Sequence, residues 1–444
     1  MKLKFVHTIV LSIGMGLLAL QSLYCNEDIA PTQLRYIRAY GSDNELAPPV
    51  YIMPKSNAAF GTKVGSEYVT VELDVFSENA PAMYAVLVHC NADWTEDNNV
   101  FLNDPTKTRT SNFQWDAAAT QSRYFTFRGK LTIPDFQTKI NFGGNWKVKI
   151  YDYDSDTDTP FAESRFFVVD PQATADIQLF PDVYTPLQGI TPTAYTIDIV
   201  AQGSNMLFDL MQNTAVIYKN HRWWEPIILS PYDEESNQKK WRYPYITSVT
   251  GTISLLKRFR VEKVPTENEY RVFDLNNIAF YPNGSQIARQ RFTDLPRNGS
   301  FIMPDNDGAM YSRFVSAAYD EYLPVEFVFD PEFRGASKRD VFVVGSFNNW
   351  NPDRQWIMSY NKEKRYYTLR AMLRRGMHDY MYVTGEINSD TGIAEKLDYT
   401  EFEGNTSVSN NSYIGVVYYK DQNFGGYDTI IAIASSNPYV SIQR

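Results

Sequence analysis

The order of apolar and polar residues predicts strands along most of the chain. Tyr84-Ala-Val-Leu-Val88 is an uncharged run of aromatic and β-branched residues, the composition of a central strand buried on both faces. Tyr68-Val-Thr-Val-Glu-Leu-Asp-Val-Phe76 alternates apolar with polar side chains, as a half-buried strand does. Trp146-Lys-Val-Lys-Ile-Tyr151 and Arg165-Phe-Phe-Val-Val169 predict a hairpin around an acidic loop. Strand patterns recur at Tyr195-Thr-Ile-Asp-Ile-Val200, Thr214-Ala-Val-Ile-Tyr218, Tyr270-Arg-Val-Phe-Asp-Leu275, Val325-Glu-Phe-Val-Phe329 and Asp340-Val-Phe-Val-Val344. A second hairpin is expected from Arg365–Leu373 and His378–Val383, joined by Arg374-Arg375-Gly376. Turn-rich stretches at Asp170-Pro171-Gln172 and Met303–Gly308 divide the series. The expected fold is all-β, with three consecutive β-sandwich domains at 30–170, 175–302 and 318–436 behind a leader at 1–25.

Composition agrees. The chain has 444 residues, of which 15% are aromatic, and this length accommodates about three domains. Lys2 and Lys4 precede an apolar run from Ile9 to Leu20, which reads as a secretory signal peptide and is too short for a membrane span. Cys25 follows as a candidate for lipidation, with the large Tyr24 standing where a lipoprotein signal wants a small residue. If Cys25 leaves or is acylated, Cys90 has no intramolecular disulfide partner. The formal charge of −10 becomes more negative once Lys2 and Lys4 are removed, which disfavours nucleic acid and anionic lipid.

The strand at Tyr84–Val88 runs into His89, Cys90, Asn91 and Asp93, then Trp94. Asn and Asp there suit a turn. Neighbouring residues of a strand point to opposite faces, so His89 is not placed to activate Cys90, and a structural strand end with a buried thiol is the expected reading. Asp152, Asp154, Asp156, Asp158 and Glu163 match part of a calcium loop's spacing. Thr157 stands where that loop needs glycine, Pro160 interrupts it and no helices flank it, so a solvated hairpin tip is the better reading. His221-Arg-Trp-Trp-Glu225 reads as a hairpin turn whose tryptophans cover a sheet edge or pack inward. His89, His221 and His378 are too far apart in sequence, with too few cysteines, to suggest zinc, and neither a serine elbow nor a phosphate loop is present. No catalytic residue and no cofactor is expected.

His89-Cys-Asn-Ala-Asp-Trp94 at the end of an apolar strand resembles the first-domain signature of the type IX secretion system plug proteins of Bacteroidota. Asn268-Glu-Tyr-Arg-Val-Phe-Asp-Leu275 is similar to that family's central segment, Leu373–Val383 to its late tyrosine-rich hairpin, and Glu403–Asn405 with Val417–Lys420 and Tyr427 to its closing strands. Departures fall at Arg374-Arg375, where the family tends to Lys-Gln, and at Met377-His378, where it tends to paired tyrosines. The resemblance implies a non-enzymatic periplasmic protein, peripheral to the outer membrane, that seals the inner mouth of the system's giant β-barrel translocon when no cargo occupies it. The acidic balance would steer it toward a basic rim.

Val343-Val-Gly-Ser-Phe-Asn-Asn-Trp350 is similar to glycogen-binding modules of the early-set immunoglobulin-like type, which implies an immunoglobulin-like sandwich at 318–436. In that second reading Trp350 and Trp356 would be sugar platforms in an envelope carbohydrate-binding protein. Ile387 occupies the place of the modules' other tryptophan, and Met381 that of a sugar-contacting lysine. The carbohydrate reading therefore ranks below the plug reading.

Overall fold

The computed structural model describes residues 31–54, 64–155, 158–182, 194–203, 213–230, 246–251, 256–284, 286–300, 305–406 and 409–436. The leader at 1–25, with Cys25, and Asp156 lie outside the described residues.

A nine-stranded sheet organises the molecule. Across it run Ile227–Leu229, Thr214–Lys219, Tyr413–Asp421, Tyr427–Ser435, Ala162–Val169, Gly144–Asp152, Met83–Cys90 and Arg109–Thr110, while Val50–Ile52 pairs in parallel with Ala162–Val169. The two halves meet where Ile430 lies opposite Val169. The N–H groups of Asp170 and Gln172 reinforce that meeting by donating to the carbonyls of Ile430 and Ile431, each at 2.9 Å.

Each half carries its own facing sheet. Gln33–Gly41, Val69–Phe76, Phe127–Ile133 and Gln114–Ala117 close the first sandwich around Val71, Leu73, Leu87, Leu131, Trp146 and Val148. Thr174–Asp182, Ala194–Gln202, Leu256–Pro265 and Ile246–Thr250 close the second around Ile197, Ile199, Ile217, Phe259, Val417 and Ile431. In the third sandwich, Arg271–Asp274, Met377–Ile387, Asp340–Gly345 and Ala394–Asp398 face Ala288–Arg289, Tyr322–Phe329, Tyr366–Arg374 and Ser359–Asn361. Phe273, Phe327, Val343 and Tyr382 fill the space between them.

The expected domain limits need correction, because strands cross them. Arg271–Asp274, placed by sequence in the second unit, pairs with Met377–Ile387 of the third. Tyr413–Asp421 and Tyr427–Ser435, placed in the third, return to complete the second, where Val216 lies opposite Val416. The returning strand is apolar on both faces: Tyr413 and Val417 enter the second core, while Ile414, Val416 and Tyr418 enter a cluster on the far side of the long sheet. An interior position in a sheet covered on both faces is where such a strand belongs.

Strand details differ as well. Met83–Cys90 is not central but lies next to the short edge strand Arg109–Thr110, and Tyr84, Val86 and Val88 are only half-buried. Arg109 over the Tyr84 ring at 3.9 Å covers part of that outer face. Val69–Phe76 is buried on both faces rather than half-buried, because its polar side packs on the third unit. The predicted hairpin at Arg374-Arg375-Gly376 is instead a corner, since Tyr366–Arg374 and Met377–Ile387 belong to the two opposed sheets of the third sandwich. Gly376, at φ +154°, makes the crossing in a conformation that side chains rarely adopt. The expected hairpin of Gly144–Asp152 with Ala162–Val169 is present.

The seam between the first and third units combines apolar and ionic contacts. Tyr36, Phe125, Met310 and Tyr322 pack together. Beside them Glu72 accepts from Arg38 at 2.9 Å and from Arg374, while Asp74 accepts from Arg128 at 2.6 Å and from the Tyr322 hydroxyl at 2.8 Å. Asp320 faces Arg128 and Arg374. Burial opposes ionisation of Glu72, but Arg374 and Arg38 outweigh it and hold its carboxyl well below the usual range. Charges enclosed this way stabilise the seam only while every partner is present.

Two predictions follow from this arrangement. A chain ending at residue 411 should lose the second sandwich, although sequence assigns the missing strands to the third. Limited proteolysis would then cut within 174–265, and survival of that region would contradict the topology. Arg374→Met should cost about 3–5 kcal/mol at pH 7 by leaving buried carboxylates short of a cation. The folded-state pKa of Glu72 is depressed, so its contribution is complete above its unfolded pKa and disappears as pH falls through the folded value. The gap between wild type and R374M in urea melts should therefore narrow on acidification below about pH 4.

Candidate functional site

The turn after Met83–Cys90 is built from side chains that close onto other strands. The antiparallel register with Gly144–Asp152 sets His89 opposite Trp146 and Cys90 opposite Asn145. His89 is fully buried, its Nε2 lies 3.1 Å from the Gly143 carbonyl, and its ring meets Trp146 and Tyr427 edge-on. A Cβ on Gly144, whose φ is +137°, would stand 2.3 Å from that same Nε2. Cys90 sits instead in the apolar cluster with Trp94, Phe167 and Tyr218, and burial pushes its thiol up to about 12. A thiolate nucleophile is therefore disfavoured at neutral pH.

The next residues form the turn and anchor it. Asp93 Oδ1 accepts from the Thr95 N–H at 2.9 Å, and Asn91 Nδ2 donates to Thr95 Oγ1 at 3.1 Å. Trp94 takes φ +69°, which turns its ring under the loop, where its Nε1 donates to the Tyr218 hydroxyl at 2.8 Å. Asn145 reads the same turn from the neighbouring strand: its Nδ2 donates to the Asn91 carbonyl at 2.9 Å and its Oδ1 accepts from the Tyr418 hydroxyl at 2.7 Å. Asp428 accepts from the Ala92 N–H at 3.1 Å. Tyr218, Tyr418 and Asp428 belong to the second unit, so the motif fastens the two sandwiches along their common sheet. A buried polar cluster with matched partners holds one geometry in preference to others.

A second polar seam joins the second and third units. Lys219 and Arg222 both face Glu267, at 2.9 and 3.1 Å, and the Tyr399 hydroxyl donates to Glu225. Burial lowers the Lys219 pKa to about 8 against the pull of Glu267. Nearby, burial and then Asp305 push Asp379 well up, and the same two causes raise Glu269 to about 8. Asp379 receives the N–H groups of Asn306 at 2.8 Å and Gly308 at 2.9 Å.

The sugar platforms and calcium residues fare differently from the motif. Trp350 is 1% exposed, covered by Tyr270 at 4.2 Å between ring centroids, and its Nε1 donates to the Gly308 carbonyl at 2.8 Å. It offers no open face to a sugar. Trp356 is half-buried and stacked on Phe347 at 4.8 Å. It borders a cleft of about 640 Å³ between the first and third units. Asp152 accepts from the Asp154 N–H at 3.0 Å as an ordinary turn, and Glu163 lies 3.6 Å from Lys147. Among the described residues, no group of three or more His, Cys, Asp or Glu side chains is placed to hold a metal ion.

Sequence reasoning passed over Asn145, whose only signal was its place beside Trp146 in the strand opposite the motif. It also treated Arg374 and Arg375 as departures, whereas both are buried. Arg375 donates to the carbonyls of Tyr319, Leu275 and Tyr281 and to Asn283 Oδ1, at 2.7–2.9 Å. His378 lies 2.7 Å from the Arg374 carbonyl, and burial lowers its pKa to about 4.

No curated protein matches the sequence. A crystal structure of a hypothetical protein from Parabacteroides merdae is similar, with a TM-score of 0.67 at 18% identity over 92% of this chain and 98% of that one, which shows a shared fold. A bacterial ice-binding adhesin reaches a TM-score of only 0.15 at 9% identity over 93% and 98% of the two chains, too little to bear on the fold. Residues 52–170 match the type 9 secretion system plug protein 1st domain. That stretch contains the whole turn from His89 to Trp94 and the opposing Asn145, so the chain carries a domain that matches the first domain of the type IX secretion system plug proteins.

Proposed function

We propose that this chain is a non-enzymatic periplasmic component of the type IX secretion system that closes the periplasmic opening of the outer-membrane translocon when no cargo occupies it. The observation that carries this reading is the plug-protein match over residues 52–170. The architecture suits the task. A closure has to resist deformation, and here two sandwiches share a sheet while a third is fixed to the first by the buried pairs Arg374–Glu72 and Arg128–Asp320. Close-packed seams of this kind have low compressibility.

The surface also suits a protein partner. Phe101 and Phe424 are 62% and 50% exposed, with ring centroids 5.9 Å apart, beside the exposed Val100. Aromatic residues of this kind are enriched at protein interfaces. The net charge of −10 would attract a basic rim from a distance. Among the described residues, no helix is long and apolar enough to cross a membrane.

Affinity capture of a C-terminally tagged copy from detergent-solubilised native envelopes should recover a giant β-barrel of the type IX system. Association should slow at least about tenfold between low and high salt if charge steers it. Capture that yields no such barrel under gentle conditions would contradict the plug reading, and salt-insensitive association would remove the steering component.

A further inference from the structure

Among the described residues, the buried arginines are nearly all answered by acids or by several carbonyls. Arg38 and Arg374 face Glu72, Arg128 faces Asp74, Arg222 faces Glu267 and Arg271 faces Glu403. Arg375 meets four neutral oxygens. Arg165, which is half-buried, differs from them. Its guanidinium lies over the ring of Trp224 at 3.7 Å and over that of Trp94 at 4.6 Å. Nη1 makes one long hydrogen bond, 3.4 Å, to the Trp223 carbonyl, and the enclosed Nε has no partner. Glu163, the nearest acid along the strand, lies 3.6 Å from Lys147.

This cation borders a cavity of about 220 Å³ where the three units meet. Arg165 comes from the first unit, Trp224 from the second, and Trp350, Asn351, Thr391 and Leu397 from the third. Its two lining carboxylates are already engaged: Glu225 by the Tyr399 hydroxyl and Arg222, Glu395 by Asn388 Nδ2 at 2.8 Å. The walls thus combine an uncompensated planar cation, an aromatic face, apolar side chains and a few polar groups. Burial draws the Arg165 pKa down to about 10, outweighing the opposing pull of Tyr218, Glu163 and Cys90.

We propose that the cavity beside Arg165 binds a carboxylate carried on a short apolar stem, paired with the terminal nitrogens of the guanidinium. A planar guanidinium favours a planar two-oxygen anion, and contact with the two rings fixes the plane in which that anion must lie. The carboxylate has two sources, a free small acid or the C-terminus of a polypeptide. Neither depends on the plug reading, so the test below is independent of it.

Titration calorimetry of the full chain with sodium butyrate, with the dipeptide N-acetyl-Gly-Val and with its C-terminal amide separates these. The proposal expects saturable binding of butyrate or the free-acid dipeptide, and at least tenfold weaker binding of the amide. Tighter binding of the dipeptide identifies a polypeptide terminus, and tighter binding of butyrate a small acid. Arg165→Met, which keeps an apolar stem beside the tryptophans, should weaken binding at least tenfold. Thr391→Trp should do the same by filling the cavity from an exposed loop, with Arg165 and the core intact. No binding of either acid to the wild type, equal binding of the amide, or unchanged affinity in T391W would overturn the assignment.

Discussion

The structure depends on one continuous hydrogen-bonded sheet that serves two cores at once. Each strand near its middle must be apolar on both faces, since one face fills a sandwich and the other is covered by the turn carrying Trp94 and by Trp223. The meeting of the halves is narrow along the backbone, with Ile430 opposite Val169, so side chains must hold it. Asn145, Tyr218 and Tyr418 do so with hydrogen bonds in a setting closed to water. In such a setting a lost partner costs the full desolvation of the group left behind.

The third unit is held by different physics. Its attachment relies on the pairs Arg374–Glu72 and Arg128–Asp320 on one side, and on Lys219, Arg222 and Glu267 on the other. Such pairs contribute little net energy compared with apolar packing, but they are strict about geometry. The result is a body whose three units are joined by packed and ion-paired seams.

Much of this was legible in the sequence, and the gaps have identifiable causes. Strand content and the hairpin of Gly144–Asp152 with Ala162–Val169 follow from residue pattern alone. Connectivity does not, because Tyr413–Asp421 and Arg271–Asp274 carry the same periodicity whichever sandwich they join. Polar alternation at Thr70, Glu72 and Asp74 reads as solvent exposure, although these side chains are buried against another unit. Trp350 fits a sugar platform in its local string, and only the three-dimensional cover of Tyr270 and Gly308 reveals it as core. Arg165 gave no signal, since its lack of a counter-ion depends on neighbours from all three units.

Hydrogen exchange of the full chain, alone and with the purified translocon, tests the account most directly. The account predicts that 144–169, 214–219 and 413–435 exchange as one slow unit in the free protein. Adding the translocon should then protect a contiguous outer surface and leave that unit closed. Fast, independent exchange of 413–435, or no protection anywhere in the presence of the translocon, would contradict it.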